Sequence, residues 1–353
     1  MSKHFDNFKP EYDHAILVGV NVSEGGLDEL CVLCETCNIL TVGRVVQNIK
    51  EIDVTYYIGK GKVDEVRQAV EKHNATVVVF DVELSGSKVR NLEAALGVPV
   101  LDRSKVILDI FAQRAMSAEG KLQVELAQLK YNLPRLIGSG GLLSKMRNSV
   151  GMRGPGEKKL ELDKRTIRDQ ISELEKKLVK LRENRNLNKQ QSVKSGKPRV
   201  CLVGYTNSGK STLLNTIAKS NALAEDKLFA TLDPKTANVY IDGTQILLTD
   251  TVGFIDKLPH EFIKAFESTL DETRAADLLL HVVDLSNPGY QQQIDVVNDV
   301  LGKIGAGNIP TLLVYNKADR FGVPHKKTDG VLVSAKQNTG IELLKKKIVE
   351  ILV

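Results

Sequence analysis

The sequence predicts an α/β fold in three parts: an N-terminal α/β domain over residues 1–115, a helical region over 116–197, and a C-terminal P-loop domain over 198–353. Three observations carry this. Apolar runs alternate with helical patterns from His14 to about Arg103; a glycine-rich basic stretch at 138–156 interrupts the helical region; and a strand, a G-x-x-x-x-G-K-S loop and a helix follow one another after residue 198.

In the first part HAILVGVNV, NILTVGRVV, ATVVVFDV and GVPVLDR read as strands, and GLDELCVLCETC, KVDEVRQAVEKHN and SKVRNLEAAL as helices, which implies parallel strand pairing. Gly59 and Gly61 stand just ahead of a helix, but two glycines without a fuller pattern are weak evidence for a phosphate loop. Cys31, Cys34 and Cys37 recur at a spacing of three. Leu27, Leu30, Cys31, Cys34 and Asn38 follow one helical stripe, so at least two of the thiols read as small core residues rather than zinc ligands.

The second part is helical in period from Ser104 to Leu133 and then changes character. IGSGGLLSKMRNSVGMRGPGEKKLELDKR is rich in glycine and basic residues and has almost no core pattern. A loop of this kind suits a narrow anionic cleft: glycine permits close backbone approach, and Lys145, Arg147 and Arg153 can neutralise phosphates. Leu160, Ile167, Ile171, Leu174, Leu178 and Leu181 then form a heptad stripe, read as a helix or helical hairpin, with polar NKQQSVKSGK (188–197) as the link to the last domain. Between Gly141 and Lys197 there are 16 Lys and Arg against 7 Asp and Glu, whereas the whole chain carries a net charge of only +5. That concentration suits a polyanion, nucleic acid being the common one, and equally suits a solvated helix laced with ion pairs.

The third part carries the chemistry. In PRVCLVGYTNSGKSTLLNTIA the residues Gly204, Tyr205, Thr206, Asn207, Ser208, Gly209, Lys210 and Ser211 form a phosphate-binding loop, with Thr212 next on the helix. Its N–H groups close around phosphate oxygens, Lys210 reaches the terminal phosphates and the Ser211 hydroxyl takes Mg2+. Asp250 ends the strand TQILLTD and begins the turn Asp250, Thr251, Val252, Gly253, so its carboxylate can hold Mg2+ through water while the Gly253 N–H faces the terminal phosphate. Thr231, within Phe229, Ala230, Thr231, Leu232 and Asp233, is the expected third metal contact. Asn316, Lys317 and Asp319 follow the strand TLLVY. The Asp319 carboxylate can accept from guanine N1–H and the exocyclic amine, donors that adenine lacks there, while Asn316 assists at the other base edge and the Lys317 stem covers the ring. Ser334, Ala335 and Lys336 supply a backbone contact to guanine O6. In this reading Lys210, Thr231, Gly253 and Asn207 are the catalytic candidates.

With these residues in hand, the sequence resembles a translation-factor-class GTPase and, more narrowly, the HflX family of ribosome-associated GTPases. The narrower resemblance rests on DTVGFIDKLPHEFIKAFESTLDE, on RGPGEKKLELDKR and on the order of the three parts, and it covers nearly the whole chain. It implies GTP hydrolysis, association with the large ribosomal subunit and its rRNA, and dissociation or rescue of stalled or idle ribosomes under stress. The cysteine cluster departs from what the family would need functionally, and with the sequence ending in KKKIVEILV the extra C-terminal domain of some relatives is expected to be absent.

Phe254 stands where many such enzymes keep a water-orienting Gln, and its side chain cannot hydrogen-bond. The free protein is therefore expected to hydrolyse GTP slowly and to be stimulated by the ribosome. Asn207 occupies the loop position of a K+-assisted class, and capping of the loop by the same side chain is an equal alternative. An RNA-processing or ribosome-assembly GTPase acting on another RNA is the competing function, and a GTP-gated scaffold without RNA a third.

Composition limits the setting. With 42% apolar and 26% charged residues the chain can build real cores, and no apolar run reaches the roughly 18 to 20 residues of a membrane span. A polar N-terminus and only four cysteines fit a cytoplasmic protein, which is expected to act as a monomer.

Overall fold

The computed structural model describes residues 12–23, 25–136, 164–181, 183, 196–219, 228–229, 234–256, 267–320 and 329–352. The basic loop at 138–156, Leu160, most of the 188–197 link and Ala230, Thr231, Leu232 and Asp233 lie outside these residues. The chain separates into two compact units, residues 1–113 with 124–177, and 114–123 with 178–353.

In the first unit β1 (His14–Val20), β2 (Leu40–Gln47), β3 (Val77–Phe80) and β4 (Val100–Asp102) form a sheet in the order β2-β1-β3-β4, every pairing parallel. The crossovers are α1 (Asp28–Thr36), α2 (Lys60–His73) and α3 (Gly86–Leu96), and α4 (Arg103–Arg114) follows the last strand. β3 is buried at every position because helices cover both faces of a parallel sheet. Val63, Val66 and Val70 of α2 pack with Ile16, Val18, Val78 and Phe80. Cys34 and Cys37 are buried, and burial pushes the Cys37 thiol up to about 12, so both behave as small apolar residues. Cys31 donates to the Glu35 carboxylate at 3.6 Å; among the described residues no group of acidic, cysteine and histidine side chains could hold a metal.

The helical run read as continuous from Ser104 to Leu133 is two helices, α4 and α5 (Ala118–Leu136). Ser117 makes the break, its hydroxyl accepting from the Gly120 N–H at 2.9 Å and its carbonyl from Lys121 N–H at 3.0 Å, an N-cap that starts a new helix. Residues 164–181 form α6, in which Leu174 and Leu178 are buried and Ile167, Ile171 and Leu181 half-buried along the heptad stripe.

Two aspartates sit at the carboxyl edge of this sheet, where open α/β sheets commonly bind ligands. Here protein groups fill the edge. Arg103 reaches Asp81 at 2.9 Å and Glu29 at 2.7 Å, while Asp102 accepts from Arg135 at 2.7 Å, from the Tyr131 hydroxyl at 2.7 Å and from the Leu84 N–H at 3.1 Å. Gly59 and Gly61 belong to helix α2: Gly59 is its cap, with its N–H bonded to the Gln47 side chain at 3.1 Å.

The second unit holds β5 (Arg199–Val203), β6 (Lys235–Ile241), β7 (Thr244–Asp250), β8 (Leu278–Asp284), β9 (Thr311–Asn316) and β10 (Val331–Leu332) in the order β10-β9-β8-β5-β7-β6. β6 alone among these runs antiparallel, joined to β7 through Asp242 and Gly243 at φ 44° and 84°, the left-handed pair that a tight hairpin demands. Its helices are α7 (Lys210–Ala218), α8 (Glu267–Arg274), α9 (Tyr290–Lys303) and α10 (Ile341–Leu352). Leu213 and Ile217 of α7 and Leu344 and Ile348 of α10 close on Val200, Leu202, Leu280 and Val314. The core thus holds the ends of β5, β7, β8 and β9 along one edge.

Candidate functional site

At that edge β5 gives way to the loop 204–209 and then α7. The loop needs its glycines: Gly204 has φ 151°, and a Cβ there would stand 2.2 Å from the Val282 carbonyl oxygen, while Gly209 at φ 90° would meet the Asn316 amide nitrogen at 2.2 Å. Gly253 passes so close that a Cβ would lie 2.8 Å from Thr206 Cα and 3.0 Å from Lys210 Nζ. Two separate segments therefore meet backbone to backbone.

Lys210 is buried beneath the loop and donates to the Gly204 and Tyr205 carbonyls at 3.1 and 2.8 Å. Burial pushes its pKa down to about 8, against the opposing pull of Asp250. One residue on, the Ser211 hydroxyl donates to the Asp250 carboxylate at 2.6 Å, so two hard oxygen donors from β7 and α7 share one spot. The Thr251 hydroxyl donates to the Leu202 carbonyl at 2.7 Å, and Val252 is buried. Asn207 is exposed in the left-handed region at φ 59°; Thr206 and Ser208 are buried, as is Phe229, and Thr212 is half-buried on α7.

Phe254 latches this turn to the loop. Its N–H donates to the Gly204 carbonyl at 3.1 Å and its carbonyl accepts from Thr206 N–H at 2.7 Å, and the ring is buried. The Asp256 N–H adds a bond to the Tyr205 hydroxyl at 2.7 Å.

The base-reading candidates come from the ends of β9 and β10. Asn316 donates to the Ser208 carbonyl at 2.9 Å and accepts from the Ala335 N–H at 3.0 Å, so its amide ties the phosphate loop to the Ser334, Ala335, Lys336 turn. Ser334 donates to Asp319 at 2.5 Å, which holds the exposed Asp319 carboxyl below its usual range. Lys336 is exposed, and the Thr216 hydroxyl of α7 donates to the Ala335 carbonyl at 2.9 Å.

A protein named GTPase HflX from Caldanaerobacter subterraneus is 49% identical to this chain over 94% of its length and 79% of the relative's, and one from Lacrimispora saccharolytica is 47% identical over 94% and 81%. The chain belongs to the HflX family of GTPases. It is a GTP-hydrolysing enzyme. Three family profiles match this HflX-family chain: a GTP-binding GTPase N-terminal region at 24–112, a GTP-binding GTPase middle region at 114–192 and a 50S ribosome-binding GTPase at 199–317. The crystal structure of SsGBP with GDP is similar in fold, with a TM-score of 0.52 and 27% identity over 96% of this chain and 98% of that one.

Two residues beside the candidate site of this HflX-family chain escaped the sequence reading. Asp284, the last residue of β8, pairs with Lys317 at 2.8 Å; the signal was present in an apolar strand that ends in an acid, as β7 does. His281, also on β8, is buried, and burial followed by the nearby Lys210 charge pushes its pKa down to about 4. A lone histidine within LLLHVVD gives no sequence signal beyond a core position.

Proposed function

We propose that this chain binds the large ribosomal subunit in its GTP state and leaves it after hydrolysis, acting to dissociate or rescue stalled or idle ribosomes under stress. The observation that carries the reading is the match of residues 199–317 to a family described as a 50S ribosome-binding GTPase, over the same residues that form the phosphate cradle. The cluster of basic residues between Gly141 and Lys197 supports a polyanionic partner. The three parts at 1–115, 116–197 and 198–353 then serve as ribosome-facing domain, basic loop with its helices, and switch. Such a partner fits a cytoplasmic protein; no helix of the described residues is long and apolar enough to cross a membrane.

The roles within the site follow from the groups present. Lys210 exchanges two carbonyl partners for terminal phosphate oxygens, a charge-assisted replacement that favours its protonated form further. Ser211 and Asp250, already 2.6 Å apart, would hold Mg2+ together with Thr231, and the ion would neutralise charge on the terminal phosphates. Gly253 brings its N–H to the terminal phosphate. Asp319 accepts from the guanine edge, and Ser334 keeps it ionised and aimed.

The Phe254 side chain offers water nothing, and its backbone is engaged with the loop. Hydrolysis by the free protein is therefore slow, and the partner supplies order to the water. Removal of one charge-stabilising or orienting group costs about 10³ to 10⁵ in rate in related systems, which sets the scale of the expected stimulation.

Sedimentation of the protein with purified ribosomal subunits, in a non-hydrolysable GTP analogue and in GDP, tests the reading. Co-sedimentation with large subunits in the analogue and release in GDP is expected. Binding only to another RNA would favour a processing or assembly role, and binding to neither would overturn the ribosomal assignment. Turnover in K+ and in Na+, with Asn207→Ala alongside, tests whether a monovalent cation contributes.

A further inference from the structure

We infer that Asp284 is a positioning residue for guanine binding, fixing Lys317 so that its stem can cover the base; this rests on the reading of Asn316, Lys317 and Asp319 as the guanine-binding segment. Asp284 and Asn316 are register partners at the ends of β8 and β9, so the strand pairing sets Asp284 beside the start of that segment. The backbone reinforces this: Leu285 N–H donates to the Asn316 carbonyl at 3.1 Å.

Lys317 itself is in the left-handed region at φ 60°, a conformation that a lysine adopts at a cost and that needs support from its surroundings. The support visible here is its ammonium, 2.8 Å from the Asp284 carboxylate, with both side chains largely buried at 13% and 17% exposure. A flexible lysine stem free to sample many rotamers would lose entropy on covering a base. Held at its tip, it has lost much of that freedom already.

Asp284 is held in turn. Its other oxygen accepts from the Ser286 N–H at 3.0 Å and the Ser286 hydroxyl at 2.6 Å, and its carbonyl accepts from Asn287 N–H at 3.2 Å. One oxygen thus serves the turn after β8 and the other serves Lys317. This division makes the variant Asp284→Asn informative, because an amide can keep the oxygen facing Ser286 while presenting an NH2 group, which cannot accept, to the ammonium.

Covering the ring differs from reading its edge. Ring coverage is indifferent to the exocyclic groups, whereas Asp319 senses them. The test is therefore a set of equilibrium titrations of GDP, inosine diphosphate and xanthosine diphosphate against the full chain, for Asp284→Asn, Lys317→Ala, the double variant and Asp319→Asn. Asp284→Asn is expected to weaken GDP and inosine diphosphate by the same factor, about five- to twentyfold. It should leave the ranking of GDP over xanthosine diphosphate intact, and in the Lys317→Ala background it should add less than a factor of two.

If Asp284→Asn weakens binding as much in the Lys317→Ala background as in the parent, Asp284 acts through the Ser286 turn and the inference is overturned. The same holds if GDP binding does not change. Thermal melts of the ligand-free variants guard against misfolding, and a gross loss of stability in Asp284→Asn would also count against a role exerted through Lys317. The Asp319→Asn arm stands apart: if it leaves the base ranking unchanged, the guanine-reading assignment itself fails, whatever Asp284 does.

Discussion

The two sheets, the first wholly parallel and the second parallel apart from β6, end alike and close their acids differently. In the first, Asp81 and Asp102 sit at the carboxyl edge and are closed by Arg103 and Arg135, fixed partners that belong to the fold. In the second, Asp250 and Asp319 occupy the same kind of edge, but they accept from the hydroxyls of Ser211 and Ser334. A hydroxyl gives up its bond to a carboxylate at little cost, whereas an arginine left behind in a buried site would be an uncompensated charge. An acid at a strand end therefore does not by itself mark a ligand site. In this chain the two edges differ in the chemistry of these partners and in the glycines of the second, against which a Cβ would collide.

The largest difference between the two sheets lies at their glycines. Gly204→Ala should abolish nucleotide binding and cost about 3 kcal/mol or more of stability, because φ 151° and the Val282 carbonyl both exclude a methyl group. Gly61→Ala, inside α2 with nothing within 4 Å of the added Cβ, should instead stabilise by about 0.5 to 1 kcal/mol. Isothermal titration with GDP and urea melts of the two variants decide this. If they behave alike, backbone packing does not distinguish the sheets.

The arginine-closed edge should resist neutralisation in the opposite way. Asp102→Ala is expected to cost about 3 to 5 kcal/mol of stability, since it strands Arg135 and the Tyr131 hydroxyl in a buried site. GTP affinity, measured under conditions where the variant is folded, should stay within a factor of two. A selective loss of GTP affinity at unchanged stability would mean that the first sheet has a ligand role of its own.

His281 is a buried titratable group within the second sheet. Its folded pKa of about 4 lies below the ordinary 6.5, so between these values the unfolded chain binds more protons and stability rises with pH. Acidification from pH 7 to pH 5 should remove about 2 kcal/mol through this residue. His281→Gln should flatten that slope, which urea midpoints across the pH range will show; an unchanged slope would assign the acid sensitivity to other groups.

Most of this site was legible because its key residues are contiguous or end strands that announce themselves. Gly204 to Ser211 need only a strand before and a helix after, and Asp250 and Asn316 each close an apolar run. What could not be read depends on pairings across distance. Asp284 meets Lys317 only through the β8 and β9 register, and Asn316 spans two loops that the sequence holds apart. Phe254 was read by its side chain, whereas its contribution here is made by its backbone. The break at Ser117 was missed because a helical stripe continues in composition across a cap, and the arginine closures of Asp81 and Asp102 have no local pattern at all.

Asp319 is the proposed reader of guanine, and base competition tests that role. Competition of labelled GTP by unlabelled GTP, ATP and xanthosine triphosphate should show a strong preference for GTP in the parent chain. In Asp319→Asn, where an amide replaces one acceptor by a donor, GTP affinity should fall by about 100-fold, or roughly 3 kcal/mol, and xanthosine triphosphate should become the better ligand. A variant that keeps the parent's preference for GTP would contradict the assignment of this strand edge as the guanine site.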